Sequence, residues 1–277
     1  MIFTVVAVLF VTSSGWRAHA QQAAASSASR PPPSAANYKG INRLLPIDDA
    51  AKGRRRFEAG AHTAWHIHPA GQLIHVEDGV GVVQRRGEPL KVLRKGDTDF
   101  TPAGVPHWHG AAPDSHAVMA MVHFGGIGSW LEPASDADYA ERTKHLASSK
   151  PSAAQSSMAV AAGPQNYVGE TSMLSSEDMN FARGRFEAGA HTNWHVHPGG
   201  QVILAEEGPV FVQRRGEPLK MLLKGESDFT PPGVEHWHGA GPDSYAQKLV
   251  VGYGAPTRWL EPVTDEEYAR TRKLLTR

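Results

Sequence analysis

Most of this 277-residue chain is one sequence written twice. Arg56-Phe57-Glu58-Ala59-Gly60-Ala61-His62-Thr63 returns as Arg185 to Thr192, and His107-Trp108-His109-Gly110-Ala111 returns as His236 to Ala240. Trp130-Leu131-Glu132-Pro133 returns as Trp259 to Pro262. The offset is constant (185 − 56 = 129 and 259 − 130 = 129), so no net insertion separates the copies and both must fold alike. Residues 147–164 between them are Ala/Ser-rich and aperiodic, a linker composition. This predicts one domain over residues 37–146 and a second over 165–277, each of ordinary single-domain size.

Within a copy the apolar runs are short and closely punctuated. Gln72 to Val76 ends at Asp78-Gly79, Val80 to Gln84 at Arg86-Gly87, and Pro89 to Leu93 at Lys95-Gly96. Short runs separated by Gly or Pro turns predict an all-β sandwich or barrel. After Trp130 and Trp259 the pattern changes. Ser135-Asp-Ala-Asp138 and Thr264-Asp-Glu-Glu267 read as helix N-caps, followed by helical stretches to about His145 and Leu275. The expectation is two tandem β-barrels, each with a short C-terminal helix.

The chain holds 28 basic and 28 acidic residues, a balance that makes no case for nucleic acid or an anionic membrane as partner. Cysteine is absent, which excludes disulfides and thiolate chemistry and leaves nitrogen and oxygen to hold any metal. Ten of the fifteen histidines fall in repeat-matched pairs. At the N-terminus, residues 1–20 read as a secretory signal: an apolar run from Ile2 to Val11 precedes the A-x-A site Ala18-His19-Ala20. The run is too short for an integral membrane span, and residues 21–36 form a low-complexity tail. The expected location is periplasmic or secreted.

In the first copy Gly60 is followed by His66-Ile67-His68, the turn Pro69-Ala70-Gly71, and Gln72; further on come Gly96, Pro102, Gly104 and His107. The second copy sets His195, His197, Gln201 and His236 at identical spacing. Residues i and i+2 of a strand share a face, so His66 and His68 can both point into a barrel. Gln72 can re-enter from the next strand and His107 from a later one. Three imidazoles and an amide oxygen leave one or two positions open on an octahedral ion, an arrangement suited to chemistry rather than a closed structural site.

These two blocks resemble the paired motifs of the cupin superfamily, with Gln72 and Gln201 where the first motif usually has glutamate. The run Thr63-Ala-Trp-His-Ile-His-Pro-Ala-Gly-Gln72 and the block His107-Trp-His-Gly110 are most similar to the small bacterial metal-dependent cupin hydroxynitrile lyases. The resemblance implies a bicupin of two jelly-roll barrels with metal ligands His66, His68, Gln72 and His107 in one and His195, His197, Gln201 and His236 in the other. It favours Mn(II), one ion per barrel, with Fe(II) second and Zn(II), Co(II) or Ni(II) also admitted by the donor set. Glutamine leaves the ligand set neutral, so the ion keeps its full double charge.

Other pairs have blander readings. His109 and His238 share a face with His107 and His236 and serve equally well as hydrogen-bonding neighbours of the ligands. His62 and His191 read as solvated edge residues, and Arg85-Arg86 and Arg214-Arg215 as solvated hairpin charges. Trp65, Trp108, Trp194 and Trp237 read first as core. The lyases have a presumed basic histidine where this chain has Met119 and Lys248. His123 lies four residues beyond Met119 on the same strand face, where the second copy has Gly252. His123 and Lys248 are therefore the candidates for proton transfer in a lyase acting on a small hydroxylated or carbonyl substrate. A cupin dioxygenase and a non-catalytic small-metabolite or metal binder are the alternatives. As to assembly, both a monomer with pseudo-two-fold barrels and a homo-oligomer fit the sequence.

Overall fold

The structure is a computed structural model and describes residues 35–126, 128–146 and 166–275. The signal at 1–20, most of the tail at 21–36 and the linker at 147–164 lie outside these residues. Strands dominate: the described residues form two tandem jelly-roll barrels, each followed by one α-helix.

Strand alternation sets the core. From Gln72–Arg85 and Ala117–Phe124, the side chains of Ile74, Val76, Met119 and Met121 enter the first barrel, where they meet Phe57, Ala61, Val83 and Leu93. The intervening Leu73, Ala120, Val122 and Phe124 face out, but onto Met179, Val202, Leu204, Leu249, Val251 and Tyr253 of the second barrel. Both faces of these strands are buried. That is why they read as near-continuous apolar runs instead of a clean apolar–polar alternation.

Gln72–Arg85 is one 14-residue strand that serves both sheets of its barrel. Its first half pairs antiparallel with Ala117–Phe124 and Thr98–Thr101, its second with Lys91–Arg94 and His107–Ala111. The sequence predicted a break at Asp78-Gly79. The second barrel has it, splitting the strand into Gln201–Glu207 and Val210–Arg214 around Gly208, whereas the first barrel runs through Gly79.

The two repeats exchange their leading strands. Asn42–Leu45 pairs with Met179–Phe186 of the second barrel, and Tyr38–Lys39 with His191–Thr192. Reciprocally, Thr171–Leu174 pairs with Ala50–Phe57 of the first barrel, and Tyr167–Val168 with His62–Thr63. Each crossing needs a glycine. Gly40 and Gly169 adopt φ of +77° and +76°, and a Cβ on either would stand 2.9 Å from the backbone of Ala190 or Ala61.

The helices are α1, Asp136–Thr143, and α2, Asp265–Leu275. Ser135 Oγ accepts from the Asp138 amide at 3.1 Å, capping α1. At α2 the cap is reciprocal: Thr264 Oγ1 accepts from the Glu267 amide, and a Glu267 carboxylate oxygen accepts from the Thr264 amide. Each helix pins a tyrosine to the barrel. Tyr139 Oη donates to the Ala111 carbonyl at 2.7 Å and Tyr268 Oη to that of Ala240 at 2.9 Å.

Two expectations are corrected here. His62 and His191 are not solvated; each is 1 % exposed, its ring stacked 4.4 Å from Tyr139 or Tyr268. The helix that covers them could not be placed over the strand from sequence. Arg85 and Arg214 are largely buried and bridge to Asp99 and Asp228 at 2.5 Å. Arg86 and Arg215 stay exposed, as the sequence suggested, and lie over the rings of Trp65 and Trp194.

Candidate functional site

Register brings the histidines together. His66 is paired with His107 across an antiparallel ladder, and His195 with His236. The turn ending at Gly71, with φ of +101°, then returns the chain so that Gln72 opens the next strand with its side chain fully buried. In the first barrel the donor nitrogens of His66, His68 and His107 lie within 4.8 Å of one another, close enough to share one ion.

Backbone carbonyls fix the tautomers. His66 Nδ1 donates to the Ala64 carbonyl at 2.9 Å and His107 Nδ1 to that of Val105 at 3.0 Å. In the second barrel His195 and His236 do the same to Asn193 and Val234. A neutral imidazole that donates from Nδ1 presents a lone pair at Nε2. The rings are neutral because loss of solvent disfavours the imidazolium. Burial takes His68 to about 3 and His236 to about 4, and pushes His195 well below its ordinary value.

One contact then tests whether a metal fits. His107 Nε2 faces Gln72 Oε1 at 2.7 Å, and His236 Nε2 faces Gln201 Oε1 at 2.8 Å. Both atoms of each pair are acceptors, so the contact is repulsive unless a cation lies against the two lone pairs. Two ligands at right angles on an ion with bonds of about 2.1 Å stand about 3 Å apart. The residues present fit a divalent ion with nitrogen and oxygen ligands.

The second barrel has its own emphasis. There the converging donor atoms are those of His195, His236 and His238. The His197 ring nevertheless stands 5.2 Å from His195 and 5.7 Å from His236, as His68 does from His66 and His107. Among the described residues each barrel thus turns four repeat-matched histidines inward. The fourth, His109 or His238, is buried, with an Nδ1 that has no hydrogen-bond partner among the described residues.

The proton-transfer candidates separate the barrels. The His123 ring lies tilted, 4.6 Å from that of His68, and the Gln72 amide nitrogen donates to its Nδ1 at 3.2 Å. Burial first, and the nearby His66 second, take its pKa down to about 4. Gly252 stands at the matching position, where an added Cβ would lie 3.1 Å from His197 Nδ1. Lys248 is 2 % exposed, its amine 3.2 Å above the centre of the Phe186 ring. Burial pushes it well below the ordinary lysine range.

Sequence reasoning missed the outer support of the site. Trp130 and Trp259 lie 5.0 and 4.9 Å from the rings of His66 and His195. Behind them stand Tyr167 and Tyr38, carried in by the exchanged strands. The repeated Trp-Leu-Glu-Pro signature was the available signal. The exchange that puts a tyrosine of one repeat behind the histidine of the other had none.

Comparison with known proteins gives the family of the chain. The cupin domain family matches residues 53–123. The (R)-mandelonitrile lyase of Granulicella tundricola is 39% identical over 88 residues, which are 31% of this chain and 67% of that protein. Among solved structures, a cupin-like protein of Thermotoga maritima is 39% identical, covering 35% of this chain and 74% of that one, with a TM-score of 0.34. Bacillus subtilis oxalate decarboxylase is 16% identical, covering 80% of this chain and 75% of that one, with a TM-score of 0.31. Fold and site together define a tandem β-barrel protein whose histidine clusters suit a divalent metal. The chain belongs to the cupin superfamily and is a bicupin.

Proposed function

We propose that this bicupin is an exported metal-dependent lyase that cleaves small hydroxylated substrates in the manner of a cyanohydrin. The observation that carries the metal reading is the facing pair of acceptors, His107 Nε2 and Gln72 Oε1, repeated in His236 and Gln201. The 39% identity to a mandelonitrile lyase supports the reaction. The export part rests on the apolar run and A-x-A site at the N-terminus. Among the described residues no helix is long and apolar enough to cross a membrane.

In the first barrel the ligands are His66, His68, Gln72 and His107; in the second they are His195, His197, Gln201 and His236, with His238 adjoining. The divalent ion, Mn(II) by preference and Fe(II) next, supplies Lewis acidity toward the substrate oxygen. The protein supplies the proton path. Because His123 Nδ1 accepts from Gln72, its neutral ring keeps its proton on Nε2. Substrate hydroxyl displacing that amide meets a base at Nδ1, and the same ring offers an N–H to the departing cyanide. Cleavage of R–CH(OH)–CN to R–CHO and HCN moves the hydroxyl proton to cyanide and needs no oxidant. On the second barrel's wall only Lys248 stands in for this group, so the first barrel is the better cyanohydrin site. The test is cyanide release from mandelonitrile by Mn(II)-loaded protein, with oxygen uptake followed in parallel. Oxygen consumption without cyanide would replace the lyase by a dioxygenase, and neither by a binding protein.

A further inference from the structure

Lys248 sits on the Ala246–Tyr253 strand where the first barrel has Met119. It shares a strand face with Val250, which packs on the second barrel's core, and with Gly252, which faces His197. Its side chain therefore enters the barrel and does not reach solvent at the rim. Its neighbours across the ladders are Gly184 and Ala205, which carry no polar side-chain atom. Among the described residues its amine has no hydrogen-bond partner.

A second unpartnered nitrogen lies close by. The ring beneath the amine, Phe186, has its centre 6.2 Å from that of His238, whose Nδ1 is also buried without a partner. Two polar atoms of the inner wall thus flank one aromatic ring beside the histidine cluster. A buried amine left unpaired is costly, and the methionine of the first barrel shows that the wall packs without one. Burial pushes the amine toward its neutral form, and an anion brought beside it would restore the ammonium.

We propose that the second barrel takes a small substrate bearing a carboxylate, whose oxygens pair with Lys248 while a second oxygen of the substrate faces the histidine cluster. A single ammonium on an apolar wall balances one negative charge, which suits a carboxylate and leaves a phosphate dianion short of donors. His238 adds a second donor when its proton is on Nδ1. The first barrel, with Met119 at this place, has no ammonium on this wall to pair with a carboxylate, so the second barrel is the one biased toward anionic substrates. The contact with the cluster rests on the metal reading above; the contact with Lys248 does not.

Glycolate and its neutral isostere glycolamide are the probes, titrated calorimetrically into Mn(II)-loaded and metal-free protein. The expected result is glycolate binding about 10- to 100-fold tighter than glycolamide, the range for a hydrogen bond to a charged group. In Lys248→Met the preference should vanish in metal-free protein and shrink by the same factor in Mn(II)-loaded protein, with Mn(II) content held and the thermal midpoint not lowered. If that variant does not fold, Lys248→Gln carries the same comparison. Equal affinity for the two probes in the wild type, or an unchanged preference in the folded variant, overturns the proposal. Protein that takes up no Mn(II) overturns the metal reading alone, because the metal-free comparison still reports on Lys248.

Discussion

The Gln72 amide nitrogen lies 3.2 Å from His123 Nδ1, while the oxygen of the same amide faces His107 Nε2 at 2.7 Å. Only an amide can do both. A glutamate would keep an oxygen for the ion but bring a second acceptor to His123, so glutamine at this position orients the ring as well as leaving the ligand set neutral. In the second barrel Gln201 keeps its contact with His236, and Gly252 removes the other half of the arrangement.

Replacing Gln72 by Glu should therefore act twice. The added charge tightens metal retention and weakens Lewis acidity, and the lost N–H frees the His123 ring. Cyanohydrin turnover should fall about 10- to 100-fold, the range for loss of a group that supports a metal site. Metal content should not fall. Gln201→Glu carries only the charge effect and should cost less of total turnover. Steady-state kinetics with metal analysis on the same preparations decides it; equal losses in both variants would argue against the His123 contact.

His123→Ala should lower cyanohydrin cleavage by about 10²- to 10⁴-fold, the usual contribution of a positioned acid–base group. Metal content should be unchanged, since the ring contacts His68 and Gln72 without joining the converging donor atoms. A variant of full activity would leave the lyase mechanism without its proton carrier.

Metal loading should reach two equivalents per chain, because each barrel has its own cluster. The double variant His66→Ala, His68→Ala should retain one. Metal analysis after exhaustive dialysis is the measurement, and loss of both equivalents would show that the barrels do not load independently.

Part of the acid sensitivity should be traceable to a histidine outside both clusters, alongside the buried cluster histidines whose pKa values are also lowered. His75 is 3 % exposed between Phe229 and Tyr253, and burial takes its pKa down to about 4. Its folded-state value is below that of the unfolded chain, so the unfolded state binds the extra proton. Its contribution is complete above about pH 6.5 and is lost as pH falls toward 4, where the loss reaches about 3 kcal/mol. His75→Leu, which installs the residue found at 204, should flatten the fall of the thermal midpoint between pH 6.5 and 4. An unaltered slope would place the acid sensitivity elsewhere.

The strand exchange can be tested at its glycines. Gly169→Ala forces a side chain into a left-handed backbone and against the Ala61 backbone at 2.9 Å. Strain and overpacking together should cost roughly 2–4 kcal/mol. Gly60→Ala is the control: it has the same kind of backbone, φ +80°, but no atom within 4 Å of the added Cβ, and should cost less. Denaturant unfolding of the two variants gives the difference.

Much of this protein was legible in the sequence because its signals are local. Strand alternation, the Pro-x-Gly turns, the helix caps at Ser135 and Thr264 and the spacing of His66, His68, Gln72 and His107 each depend on residues a few positions apart. The exact repeat then doubled every inference. What the tertiary structure decided are relationships between distant residues. Nothing local to His62 announces that Tyr139, on a helix 77 residues later (139 − 62 = 77), will stack on it and keep it dry. Nothing in Tyr38 or Tyr167 tells which barrel it will join, since the two repeats offer each leading strand nearly identical edges. The crossing goes together with packing between the barrels, where Leu73 and Val122 share one buried cluster with Leu204 and Leu249. Charge placement followed the same rule: Lys248 is a lysine like any other in sequence, and only the closure of the barrel around it makes it a buried amine on the face of Phe186.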